Sequence, residues 1–237
     1  DPVGDIAVNP KRFFHLEKDT LQQGEYFNVG VAFENVSKWD MDSLLINYSI
    51  VDYKNQNKLL KSERQRPVPA GDTVHTNISY FTLDNPGFNM MLIEANPDVD
   101  QLEQHRFNNF LFVPFYVLKD VYNPFIDVTF DGVHIMDGDI VSASPEIKIL
   151  LQDENQYLAL DDTSLLSVFL ESPGGTREPI YFNDPLVEFI PASESSGENK
   201  AHILYNPTLA KDGEYRLIVT GRDRSGNESG KADYEVT

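Results

Sequence analysis

The sequence predicts an all-β chain built as two consecutive immunoglobulin-like antiparallel β-sandwich domains. Three observations point there. Polar and apolar residues alternate with a period of two in segment after segment, as half-buried strands require. Turn-forming clusters of Gly, Pro, Asn and Asp recur about every ten residues, the spacing of a sandwich or barrel. Phe and Tyr, 15 and 11 of them, favour strands. No segment sustains a helical period, and residues 101–108 offer one helical turn at most.

Residues 25–34 place Phe27, Val29, Val31 and Phe33 on one face and Tyr26, Asn28 and Gly30 on the other. Asn35-Val-Ser-Lys-Trp-Asp40 is a turn. Residues 44–51 form the next strand, 52–58 a polar hairpin loop and 59–65 the return. Pro67-Val-Pro-Ala-Gly-Asp72 turns the chain again, and residues 73–81 alternate. Asp84-Asn-Pro-Gly87 is a turn. Strands at 88–94 and 110–118 close the first module, with a polar loop at 96–109 between them. Asn108 and Asn109 are expected to pin that loop to the last strand by side-chain bonds to backbone. Lys119 to Pro124 reads as a short linker without Gly/Ser-rich sequence, hence a tight joint. The domains are expected at 1–119 and 120–237.

In the second half a strand at 126–130 meets Asp131-Gly132, a hairpin turn. A short apolar piece at 133–135 and the turn Asp137-Gly-Asp139 follow. Strands are expected at 146–151 and 165–170, then a turn at Pro173-Gly-Gly175. Further strands are expected at 179–182, 187–190 and 201–205, with a polar loop at 193–200. Asp212-Gly213 precedes the alternating run 214–220. A loop at 222–230 leads to the final strand at 232–236.

The 237 residues suffice for two cores, and 41% hydrophobic residues suffice for folding. No apolar run is long enough to span a bilayer as a helix. The net charge is -19, unevenly placed: 16 acids against 10 bases up to Leu118, then 22 against 9. Such a field repels nucleic acid and anionic membranes, so neither is an expected partner. It suits solubility, or binding of a divalent cation. Cysteine is absent, which excludes disulfides, a thiol nucleophile and Cys-ligated zinc. Asp1-Pro-Val-Gly-Asp5 carries no signal-peptide pattern, as expected of a mature chain or a piece of a longer one.

His15, His75, His105, His134 and His202 show neither an HxH nor an HExxH spacing. No Gly-x-Ser-x-Gly elbow is present, and no catalytic residue is assigned; a Ser-His-Asp triad would be recognised by geometry alone. The acidic loops of the second half are sharper. Asp131, Asp137, Asp139, Asp153, Asp161, Asp162 and Asp223, with Glu154, Asn155 and Asn227, fall in expected turns. Calcium takes about six to eight hard oxygen ligands from flexible loops, so these are the candidate ligands. Solvated turn formers are the other reading, since Asp and Asn are ordinary in turns and no EF-hand spacing occurs. No cofactor is expected, calcium being the one candidate. Trp39, Tyr53 and Phe88 either stack on sugar rings or anchor their loops to the core.

Gly24-Glu25 opening a strand, Asn35 closing it, Pro69-Ala-Gly-Asp72, Glu94-Ala-Asn-Pro-Asp98, Glu103 and Asn108-Asn109 together form a pattern over residues 5–118. It resembles the CARDB-type immunoglobulin-like modules of prokaryotic surface proteins. The second half carries Asp127-Val-Thr-Phe-Asp-Gly-Val-His-Ile-Met-Asp-Gly-Asp-Ile-Val141, Pro145-Glu-Ile147, Leu151-Gln-Asp-Glu-Asn155 and Leu160-Asp-Asp-Thr163. It resembles an immunoglobulin-like domain found downstream of gingipain-type (C25) cysteine peptidase domains in secreted Bacteroidota proteins. The PorU-like proteins of type IX secretion carry a related one. The resemblance implies a secreted or cell-surface location and a structural or presenting role beside a peptidase domain outside this chain. It implies a monomer whose partners are neighbouring domains of the same polypeptide. It does not imply an enzyme, because C25 chemistry needs a Cys nucleophile. The alternative is a calcium-stabilised adhesin or glycan-binding module, with a cell-surface protein or glycan as partner. Asp19-Thr-Leu21, Asp42-Ser-Leu44 and Asp72-Thr-Val74 match the short O-glycosylation pattern of such exported proteins, which requires exposed hydroxyls.

Overall fold

The protein is described by a computed structural model covering residues 3–193 and 197–237. The chain divides into two compact units, Asp1–Lys119 and Asp120–Thr237. Both are built of strands, and among the described residues no helix is long and apolar enough to cross a membrane.

The first unit contains β1 (Ile6–Val8), β2 (Phe14–Leu16), β3 (Thr20–Gln22), β4 (Tyr26–Asn35), β5 (Met41–Asp52), β6 (Asn57–Val68), β7 (Thr73–Phe81), β8 (Gly87–Ala95) and β9 (Phe110–Leu118). In one sheet β4 is central. β7 runs along one edge of it, and β1 and β2 lie end to end along the other. The opposing sheet has the order β3-β9-β8-β5-β6, antiparallel except for the β3–β9 pair. The leading segment therefore starts on one sheet and crosses to the other.

The buried row of β4 is the predicted one: Phe27, Val29, Val31 and Phe33 face the core. Phe27 stacks on Phe115 of the opposing sheet, ring centroids 4.0 Å apart. Tyr48 and Thr76 join hydroxyls across the same core, and burial pushes the Tyr48 phenol well above its ordinary range. Residues 101–108 form no helix; the single helical turn of this loop is a 3-10 turn at Pro97–Val99. β1, β2 and β3 have no counterpart among the expected strands, because three residues are too few to display a period.

The second unit contains β10 (Phe125–Phe130), β11 (Ile147–Asp153), β12 (Leu166–Ser172), β13 (Thr176–Pro179), β14 (Val187–Ile190), β15 (Asn199–Tyr205), β16 (Tyr215–Arg222) and β17 (Glu228–Val236). They form two four-stranded sheets, β10-β11-β15-β14 and β13-β12-β16-β17. Asp131 and Gly132 both take positive φ, 49° and 77°, and Phe130 and Val133 exchange backbone hydrogen bonds of 2.9 Å. This is the two-residue hairpin that Asp-Gly predicts. The expected strand at 179–182 is displaced: the strand is Thr176–Pro179, at a sheet edge, where proline costs no central ladder bond. The expected loop at 222–230 is shorter, because β17 starts at Glu228. The expected loop at 193–200 lies partly outside the described residues.

Gly221 sits in β16 facing β11 of the other sheet. A Cβ there would lie 2.7 Å from Leu151 Cδ1 and 3.3 Å from Ile126 Cδ1. The sheets approach too closely at this point for any side chain. Gly221→Ala is expected to destabilise the second unit by about 1–3 kcal/mol through overpacking, read by urea denaturation, and Leu151→Val in the same chain should recover part of the loss. Phe27→Ala should cost the first unit about 3–5 kcal/mol by the same measurement, because it removes a fully buried ring and its stacked partner contact.

Candidate metal centre

In β11 every second residue faces the core: Ile147, Ile149, Leu151 and then Asp153. β16 does the same with Tyr215, Leu217, Val219 and Gly221, and the next inward position is Asp223. The two strands belong to opposing sheets and meet at Leu151 and Gly221. Each inward row thus ends on a carboxylate, and both lie at the same end of the second sandwich. Asp120, which precedes β10, comes in beside them. One carboxylate oxygen from each of Asp120, Asp153 and Asp223 lies within 4.8 Å of the others. The three residues are 8%, 6% and 2% exposed, so water does little to screen their charges.

Short polar loops hold these carboxylates. Asp223 Oδ1 accepts from the Asn227 backbone N–H at 2.8 Å, and its Oδ2 accepts from Asn227 Nδ2 at 2.7 Å. Asn227 Nδ2 also lies 3.3 Å from the Asp120 carbonyl oxygen. Asp120 Oδ2 accepts from Asn155 Nδ2 at 3.0 Å, and Oδ1 from the Tyr122 N–H at 3.2 Å. Asp153 Oδ1 accepts from the Asn155 N–H at 2.6 Å, whereas its buried Oδ2 has no hydrogen-bond partner. Asn199 fixes the loop after β11: Nδ2 donates to the carbonyls of Asn155 and Leu158 at 2.7 and 2.9 Å, and Oδ1 accepts from Leu160 N–H at 2.8 Å.

Asp153 bears the cost of this arrangement. Burial pushes its carboxyl up to about 6, against the Asn155 N–H bond that favours the charged form; the negative charges of Asp120, Asp223 and Glu154 push the same way as burial. Arg224, next in sequence to Asp223, pairs its guanidinium with Asp161 at 3.3 Å.

Of the seven sequence-assigned acids, the structure brings Asp153 and Asp223 together and leaves the other five apart. Asp131 Oδ1 accepts from Glu146 N–H, and Asp139 Oδ2 from Met136 N–H, each at 2.9 Å. Asp162 caps the 3-10 turn Thr163–Leu165 through Ser164 N–H, and that bond holds its carboxyl below the usual range. Asp161 pairs with Arg224, and Asp137 and Glu154 are exposed. Asp120 was missed because it fell in the expected linker; it is instead a buried residue of the second unit. The signal for Asp153 and Asp223 was parity, since each lies two residues beyond the last core position of its strand. Asp120 has no such signal.

The other sequence-assigned features are dispersed. His75 packs edge-on against Phe13, while His105 and His134 pair with Asp5 and Asp127 at 3.0 and 2.8 Å. Burial, then Lys148 and Lys200, lowers the His202 pKa. In the first unit Asn109 does bond backbone, donating to the Ala95 carbonyl at 3.1 Å, but the Asn108 side chain is directed to Asp5. The second pin is Asn96, in a left-handed conformation and doubly bonded to the Gln101 backbone at 2.8 and 2.9 Å. Trp39, Tyr53 and Phe88 are 49%, 62% and 47% exposed, so they do not anchor loops to the core. Of the three glycosylation-pattern hydroxyls, Thr20 is exposed, whereas Ser43 and Thr73 are half-buried within strands.

No protein-family model matches the chain, and no curated protein matches it. Among solved structures it is similar to a CARDB domain from Pyrococcus furiosus, described in complex with di-metal ions. The identity is 12%, over 49% of this chain and 90% of that domain, with a TM-score of 0.41. It is similar to red sea bream transglutaminase, 12% identical over 98% of this chain and 31% of the enzyme, TM-score 0.32. It is also similar to dimeric latent PorU from Porphyromonas gingivalis, 10% identical over 99% of this chain, TM-score 0.36, and spans 24% of the length of PorU. The sandwich assignment of each unit rests on its own strand order and core.

Proposed function

We propose that the two units are non-catalytic structural modules of a larger secreted or cell-surface protein, accompanying a C25-type cysteine peptidase domain carried outside this chain. The observation that supports this most is the outer face of the five-stranded sheet in the first unit. Phe88, Met90 and Leu92 of β8 stand opposite Tyr116, Pro114 and Phe112 of β9. These positions alternate with the core residues Val113, Phe115 and Val117, so they point away from the core. Phe88, Phe112 and Tyr116 are 47%, 56% and 45% exposed. An antiparallel sheet face in water is ordinarily polar, and a contiguous apolar patch marks an interaction surface. A neighbouring domain of the same polypeptide is the partner that fits a presenting module. The absence of Cys keeps thiolate chemistry out of these residues.

The competing reading is a calcium-stabilised adhesin or glycan-binding module. The buried acidic group favours its cation half. For the glycan half, Trp39 precedes β5 and Tyr53 follows it, and β5 is 12 residues long. The two rings therefore lie roughly 40 Å apart along the strand and do not form one stacking platform.

The double variant Phe112→Ser/Tyr116→Ser tests the structural reading. In the isolated chain it should cost no more than about 2 kcal/mol, the loss of two half-exposed cross-strand pairs. In the complete polypeptide it should lower the thermal midpoint and speed limited proteolysis. A complete polypeptide indifferent to the double variant would sink the packing role. A complete reading frame without a Cys/His peptidase domain would sink the peptidase association.

A further inference from the structure

We propose that Asp120, Asp153 and Asp223 bind one hard divalent cation, calcium, which ties the leading segment of the second unit to its β11–β12 and β16–β17 loops. The inference is independent of the structural-module reading and is carried by two observations. The first is the gathering of three buried carboxylates, with one oxygen of each within 4.8 Å of the others. The second is the buried Asp153 Oδ2, an acceptor with no donor, in a residue 6% exposed. A carboxylate oxygen left bare in a protein interior is destabilising, and two like charges beside it add to the cost. A cation answers both.

The donor set selects the class of ion. It contains oxygen and neither His nor Cys, which disfavours zinc and the softer metals. Calcium–oxygen distances of about 2.3–2.6 Å put opposed ligands roughly 5 Å apart, and these oxygens lie within that span of one another. The three Asp come from three separate parts of the chain, the segment before β10, the last position of β11 and the β16–β17 loop, an irregular arrangement that calcium tolerates better than magnesium, which demands octahedral geometry. Backbone carbonyls and water would complete the shell. The Asn155 and Asn227 amides, already bonded to these carboxylates, hold the loops in place for it.

The ion sits where the two inward rows end, above Leu151 and Gly221. It would therefore close one end of the sandwich and fix residues 120–124 before β10. A ligand that binds only the folded state raises the thermal midpoint.

The test uses the whole chain, stripped with a chelator and melted near neutral pH with and without calcium at about 1 mM, the range of extracellular calcium sites. The expected result is an upward shift of about 5 °C or more, with one calcium per chain by titration calorimetry. Asp153→Asn and Asp120→Asn should each abolish the shift, whereas Asp131→Asn should keep it. Asp153→Asn should also raise the midpoint of the chelated chain, because it removes the uncompensated carboxylate. A residue needed only for hydrogen bonding would lower it. Absence of both shift and binding heat at about tenfold higher calcium overturns the proposal. So does a shift that survives in Asp120→Asn and Asp153→Asn chains that remain folded by circular dichroism. An equal shift with magnesium overturns the choice of calcium.

Discussion

Each unit holds together because two sheets press their inner faces against one another, and that contact obliges every second residue of each strand to be apolar. In the first unit the rule sets Phe27, Val29, Val31 and Phe33 against Phe115 and its neighbours. In the second it sets Ile147, Ile149 and Leu151 against Leu217, Val219 and Gly221. Hydrophobic burial supplies the drive, and the alternation fixes register, because a slip of one residue would turn the whole apolar row outward.

What happens where these rows end gives the chain its polar character. Backbone groups at strand ends still need partners once they are buried. Buried asparagines supply them. Asn35 donates to the carbonyls of Trp39 and Val68, Asn109 to that of Ala95, and Asn199 to those of Asn155 and Leu158. All three are at most 5% exposed. An amide suits this task because it donates and accepts at once. The carboxylates at the same level cannot donate. Asp153 and Asp223 continue the inward rows with charge where the rule calls for carbon, so this end of the second sandwich is a place where the fold's own pattern runs against its stability. Departures of that kind are where function is found.

The outward faces divide differently. β8 and β9 carry rings and aliphatic side chains on the face away from the core, whereas β6 carries Lys58, Lys61, Arg64 and Arg66. The charged strand lies at the sheet edge, where charge discourages further strand pairing. The apolar face lies nearer the middle of the sheet.

The sequence by itself determined the long strands and the tight turn. Alternation placed β7 and β9 at their observed ends, and Asp131-Gly132 announced a hairpin, because both signals depend on neighbours within a few residues. Only the tertiary structure decided the rest. β1, β2 and β3 are strands because β4 and β9 offer them an edge, not because their three residues insist on it. The seven acids flagged as candidate ligands look alike as turn residues. Two of them meet because β11 and β16 are pressed together across the core, and Asp120 joins them through Asn155 and Asn227. Those contacts join residues far apart in the chain: local parity says which way Asp153 and Asp223 face, and carries no record that they meet.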